Sequence, residues 1–369
     1  MVDHAKRKVF AGLATGAFLQ TGNAQTYKNS QIVSPAKIGV TTIKMTAAWP
    51  SSLSGPVAIL KRLSNKAHAM SGGTLRIEIL FANQVKSSAL DSFASVASGE
   101  VDMAHSTSYY WTKRSPAFNF FATVPFGMLP SEHYAWLRHG GGYTLWTQLC
   151  AQSGIVPLPC GNTGVQMGGW MKAPLTSLAS LKGLRLRYPG LGGEILRSMG
   201  AEPVTLPAVD IIPALSSGRL DGAEWASPWG DFEMGFQDVC NYYYAPGFHE
   251  PGHTLELIVN QGVWNNLSQV HRSILENICW GEYLETQAHF DYENAKALDQ
   301  LKNLKNLQIL RFPNEIVKEF RKRAPEVIRA AVESDPFSRS VHDSYYGFLR
   351  KQLRWSELAE RAYWQSRYI

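Results

Sequence analysis

Two stretches decide the fold: "SGRLDGAEWASPWGD", Ser217–Asp231, and "SGEVDMAHS", Ser98–Ser106, which open on the same frame of Ser-Gly, variable residue, aliphatic residue, Asp, variable residue, Ala and then a polar side chain. In each, a glycine stops a short helix and an apolar strand follows. Between them the chain runs through further units of the same kind. "TLRIEILFA" alternates with period two, "SALDSFASVASG" has helical spacing, and "LRLRYPG" followed by "LGGEILRSMG" is strand and then helix. The order β, α, β points to mostly parallel sheets with helical cover, and its recurrence points to two related lobes. With 369 residues the chain is long enough for both.

The expected architecture is α/β, two-lobed, with a cleft between the lobes. Residues 25–160 form most of lobe I and residues 161–255 most of lobe II. Residues 256–369 are a crossover strand and then helices that return to both lobes, broken at Pro325 and Pro336. Ahead of them, residues 1–24 carry Lys6, Arg7 and Lys8, an apolar stretch to Leu19 and small residues Gly22 and Ala24, the layout of a secretory signal. That places the mature protein in the periplasm. The formal charge of +6 comes without a basic stripe beyond the N-terminus, so nucleic acid is not the expected partner. Cys150, Cys160, Cys240 and Cys279 have no CxxC spacing. Zinc and a redox dithiol are therefore not indicated, and the pattern chooses no disulfide.

"HEPGH", His249–His253, matches the H-E-x-x-H letters of zinc proteases, and a periplasmic metal-assisted hydrolase or lyase is the enzyme alternative it supports. That chemistry needs both histidines on one face of a helix. Pro251 and Gly252 oppose such a helix, so the expectation is a turn. "HGGG" at 139–142 has no accompanying G-x-S-x-G and reads as a helix break.

The remaining constellation suits a small carboxylate. Arg187 stands at the C-terminal end of its strand, where sheets of this type bind ligands, and arginine grips a carboxylate through two parallel hydrogen bonds. Glu224 ends the strand "RLDGAEWAS", beside Trp225, and needs a cation or donor. Gln166, expected in the short strand "GVQMGGWM", needs a partner as well. A Gln–Glu hydrogen bond or a hard cation, Na⁺ or Ca²⁺, would satisfy both. Tyr109, Tyr110, Trp111, Phe126, Trp225, Trp229 and Phe248 are candidates for the walls of a cleft.

"GVQMGGWM" (164–171), the block from Leu181 through Trp225, "NYYYAPGFHEPGHTLELIVN" (241–260) and "SYYWTKRSPAFNFFATVPFG" (108–127) resemble the extracytoplasmic solute-binding proteins of TRAP transporters, most closely the branch that binds 2-oxo acids such as pyruvate. The resemblance implies two α/β lobes joined by crossing strands and a long helix. It implies a ligand salt bridge from Arg187 and a bridging Na⁺ or Ca²⁺ held by Gln166, Glu224 and the main chain of Trp225. Trp229, Tyr110 and Phe248 match pocket positions. It further implies a TRAP membrane permease as partner, a ligand-binding sensor being the alternative use of the same pocket. The C-terminal helix with Tyr345, Phe348, Leu349, Trp355 and Leu358 resembles a segment that some members exchange in a homodimer.

Overall fold

A computed structural model describes residues 39–84 and 89–367. The signal sequence expected at 1–24 lies outside them. β1 (Thr41–Ala47) is followed by α1 (Ser54–Met70), β2 (Leu75–Leu80), α2 (Ser92–Ser98) and β3 (Met103–Ser106). α2 closes on Gly99, whose left-handed φ of 79° turns the chain back toward the sheet. β1 pairs in parallel with both β2 and β3, the expected β, α, β arrangement. Helices α3 (Phe118–Ala122), α4 (Pro130–His139) and α5 (Gly142–Ala151) lead to β4 (Ile155–Asn162).

The chain then leaves for a second sheet. β5 (Gly169–Met171), β6 (Arg185–Arg187), α6 (Gly190–Ser198), β7 (Glu202–Val204), α7 (Ala208–Ser216), β8 (Gly222–Ala223), α8 (Pro228–Met234) and β9 (Tyr242–Ala245) build it. β10 (Thr254–Asn260) returns to the first sheet and inserts antiparallel between β3 and β4. After α9 (Gln261–Asn266), the 34-residue helix α10 (Gln269–Lys302) runs back and β11 (Gln308–Arg311) completes the second sheet. The strand orders are β2-β1-β3-β10-β4 and β11-β9-β5-β8-β6-β7. α11 (Asn314–Val332) and α12 (Pro336–Ser356) follow.

Three local expectations change. Gln166 is not in a strand: β5 starts only at Gly169, because Asn162 accepts a hydrogen bond from the Gly164 N–H and Gly164 turns the chain at φ 76°. The strand ahead of Glu224 is just Gly222–Ala223, so Glu224 lies past its end. Pro325 does not break its helix. It sits on the exposed side of α11, while Ile316, Phe320, Ala324, Ile328 and Val332 form a buried stripe every fourth residue that holds the helix together. Pro336 does begin a helix, at the first position of α12, where its missing N–H costs nothing.

All four cysteines are free and buried. No described helix is long and apolar enough to cross a membrane. The apolar stripe of α12 divides: Tyr345 and Leu349 are buried, whereas Trp355 and, beyond the helix, Leu358 are exposed.

Candidate ligand site

β6 and β8 lie side by side in parallel, with Arg187 in register with Ala223. The next residue, Glu224, donates its N–H to the Arg187 carbonyl at 3.0 Å. The parallel register thus brings the two side chains to the same C-terminal edge of the sheet, although they are 37 positions apart. Arg187 is fully buried and Glu224 is 1% exposed. Arg187 Nη1 donates to the Glu224 carbonyl at 2.8 Å and to Glu224 Oε1, and its Nε donates to the Leu206 carbonyl. The guanidinium carbon lies 5.2 Å from the centre of the Trp225 ring. Burial alone would weaken the Arg187 charge, but Glu224, with Tyr109 and Tyr110 adding to it, outweighs that effect and raises its pKa.

The second oxygen of Glu224 meets His249 Nε2 at 3.2 Å. His249 Nδ1 lies 2.8 Å from the Tyr188 hydroxyl, which also donates to the Gly168 carbonyl. Glu250, buried beside them, is 2.5 Å from His253 Nδ1, and His253 Nε2 is 2.6 Å from Thr107 Oγ1. Burial raises the Glu250 pKa; His253, then His249 and Arg187, overcome this, and the net shift is downward. Residues 249–253 form a turn and not a helix, as Pro251 and Gly252 require. The two histidines have different partners, so a zinc-protease face is not built. Oxygen and nitrogen atoms of Glu224, His249 and Glu250 do come within 4.8 Å of one another. The Arg187 guanidinium on Glu224 opposes a cation centred there.

Gln166 sits in the loop between β4 and β5, stitched at both backbone atoms: its N–H donates to the Glu250 carbonyl and its carbonyl accepts from Gly247. The next N–H, of Met167, donates to the Ala226 carbonyl. The side-chain Nε2 of Gln166 donates to Thr163 Oγ1, while Oε1 is buried without a hydrogen-bond partner. Arg187 Nη2 is likewise buried and unpaired. Gly169, at φ 108°, makes this close packing feasible, because a Cβ there would lie 3.0 Å from the Ala223 carbonyl and 3.2 Å from Glu224 Cβ.

A cleft enclosing about 530 Å³, part of it open to solvent, lies beside the cluster, its walls including Trp49, Tyr109, Gln166, Trp225, Trp229 and Phe290. A smaller one of about 210 Å³ is lined by His249, Glu250 and, again, Tyr109. Of the residues singled out from the sequence, Tyr109, Gln166, Trp225 and Trp229 line the larger cavity. Arg187 and Glu224 form the polar cluster against Trp225 without lining that cavity. Tyr110 packs edge-on to Tyr109, with ring centres 4.9 Å apart. Phe248 faces elsewhere, stacked on Phe320 at 4.0 Å in the core. Sequence reasoning passed over Thr163, Tyr188, His249, Glu250 and His253 as site residues. The "HEPGH" letters were the available signal, read for a zinc face instead of for buried partners.

Residues 48–335 match family 7 of the bacterial extracellular solute-binding proteins. The monocarboxylate 2-oxoacid-binding periplasmic protein of Nostoc sp. is 32% identical over 323 residues, 87% of each chain. A TRAP periplasmic solute-binding protein from Colwellia psychrerythraea, solved with calcium and pyruvate bound, is 34% identical with a TM-score of 0.85, covering 89% of this chain and 99% of that one. Another, from Pseudoalteromonas atlantica, holds sodium and pyruvate; it is 33% identical with a TM-score of 0.86 over the same shares.

Proposed function

This chain belongs to family 7 of the bacterial extracellular solute-binding proteins, the extracytoplasmic receptors of TRAP transport, and from that premise we propose that it captures a small 2-oxo or 2-hydroxy monocarboxylate together with a Na⁺ or Ca²⁺ ion. The observation that carries this reading is a pair of buried side-chain atoms without hydrogen-bond partners, one on Arg187 and one on Gln166. Arg187 Nη2 is a donor without an acceptor, and Gln166 Oε1 an acceptor without a donor. Leaving such groups unsatisfied costs about 1–3 kcal/mol each, more for a charged one. A carboxylate on Arg187 and a hard cation on Gln166 relieve both.

Gln166 Oε1, the Glu224 carboxylate and the Trp225 carbonyl would hold the ion once the ligand carboxylate shares the Arg187 charge that otherwise opposes a cation there. All are hard oxygen donors, suited to Na⁺ or Ca²⁺ and not to zinc. The ion would supply positive charge to the oxygen atoms of the ligand. Arg187 binds and orients the carboxylate, and Trp225, Trp229 and Tyr109 exclude water from it. The chain makes and breaks no bond in its ligand. It hands the ligand to a membrane permease from the periplasm, to which residues 1–24 direct export. The exposed Trp355 and Leu358 would be the contact surface of a homodimer, which sedimentation reads directly.

Calorimetry with pyruvate, with and without calcium or sodium, tests the reading. Arg187→Lys keeps the charge and loses the planar fork. We expect affinity to fall at least tenfold, about 1.4 kcal/mol, with the circular dichroism of the folded protein retained. Unchanged affinity would overturn the assignment, as would binding that ignores both ions in the case of the cation.

A further inference from the structure

We infer that Glu233 and the first turn of α1 form a latch across the mouth of the larger cavity, and that this latch sets how long a ligand stays. The inference rests on the reading of that cavity as the ligand site. α1 follows β1 of the first sheet, and α8 follows β8 of the second. Leu53, Gly55 and Pro56 from the start of α1 line the cavity together with Trp229, Gly230 and Glu233 from α8. Glu233 is exposed, which places it at the rim.

α1 is a 17-residue helix with a deficient N-terminus. Its N-cap residue is Leu53, which makes no side-chain hydrogen bond, and no acidic residue occurs in its first turn. A helix start normally takes such partners from its own sequence, because its first N–H groups are unpaired and carry partial positive charge. Here the acidic partner comes from the other side of the cavity: Glu233 Oε2 accepts from the Ser54 N–H at 2.9 Å. Glu233 Oε1 accepts from Trp229 Nε1 at 2.9 Å, so the same carboxylate fixes the indole that walls the cavity. Gly55 permits the approach. A Cβ at that position would lie 2.8 Å from Phe290 and 3.1 Å from Trp229.

One carboxylate therefore joins the cover of the first sheet to the cover of the second and holds a wall residue as it does so. A charge at a helix N-terminus is worth about 0.3–1 kcal/mol when exposed, which corresponds to a change in dissociation rate of roughly two- to fivefold. The charge part is screened by salt.

Ser54 is the first helical residue of α1, and the preceding Leu53 is extended. Proline is favoured at that position and removes only the donor, so Ser54→Pro cuts the latch without disturbing the helix. Glu233→Gln keeps an acceptor and deletes the charge. Two measurements on full-length protein decide the matter. In the ligand-free protein, hydrogen exchange at the Trp229 indole and at the amides of α1's first turn should accelerate about two- to fivefold in Ser54→Pro. Added salt should accelerate it in the wild type but not in Glu233→Gln. By stopped flow with pyruvate and calcium, Ser54→Pro should release ligand two to five times faster with an association rate changed less than about twofold.

Unchanged exchange in Ser54→Pro overturns the latch whatever the ligand proves to be. Faster exchange with unchanged release refutes its control of residence time. Failure of the wild type to bind pyruvate, with exchange responding as expected, counts against the ligand assigned above and leaves the latch standing.

Discussion

Glu224 divides its two oxygens between a guanidinium and an imidazole in a buried site. Two buried charges sustain each other only as a pair, and removing one leaves the other uncompensated. Arg187→Ala should therefore lower stability to urea by about 3–5 kcal/mol at neutral pH. The double variant Arg187→Met with Glu224→Leu should recover most of that loss while binding no carboxylate. If the double variant is no more stable than the single one, the pair is not what costs the single variant its stability. The result would separate the structural part of Arg187 from its proposed part in binding, which a single substitution mixes.

At the scale of elements, the site depends on three short strands whose ends converge. β5, β6 and β8 have 3, 3 and 2 residues, too few for alternation to specify a register by itself. Packing decides burial where alternation cannot: Arg185 of β6 is exposed and paired with Asp221, whereas Arg187, two residues on and on the same strand face, is buried at the strand's end. β5 reaches Glu224 only through Gly169, whose φ of 108° and close contact with the Ala223 carbonyl leave no room for a side chain. Gly169→Ala should cost about 1–3 kcal/mol in unfolding free energy, from backbone strain and overpacking. It should also weaken ligand binding by displacing Glu224; a variant that melts at the wild-type temperature would contradict this account.

Across the whole molecule, the crossing strand β10 is tied to the surrounding helices by a buried polar knot. His133 of α4 donates from Nε2 to the Phe120 carbonyl, so Nδ1 is the acceptor for Thr254 Oγ1 at 2.9 Å. Tyr283 of α10 accepts from Asn162 and donates to the Pro130 carbonyl. Burial lowers the His133 pKa from 6.5 to about 4. The unfolded chain then binds a proton near pH 6.5 that the folded protein refuses until about pH 4, so stability is complete above 6.5 and falls with acid through that window. At pH 4.5 the loss should be about 2–3 kcal/mol from this residue. Urea midpoints at pH 7 and 4.5 read it, and His133→Gln should reduce the difference; an equal difference in that variant would assign the acid sensitivity elsewhere.

What the chain wrote in local order was legible from it. The helix-glycine-strand units around Gly99 and Gly218, the long helical C-terminal third and the turn at Pro251-Gly252 follow from periodicity and backbone chemistry, which act over a few residues. The likeness to solute-binding proteins was legible too, in the block from Leu181 through Trp225. The pairing of Arg187 with Glu224, the place of His249 against that pair, the turning of Phe248 into the core and the capping of α1 by Glu233 were decided by the tertiary structure. Each joins residues from 25 to 179 positions apart. No periodicity reaches that far; sheet register and packing alone bring such groups together.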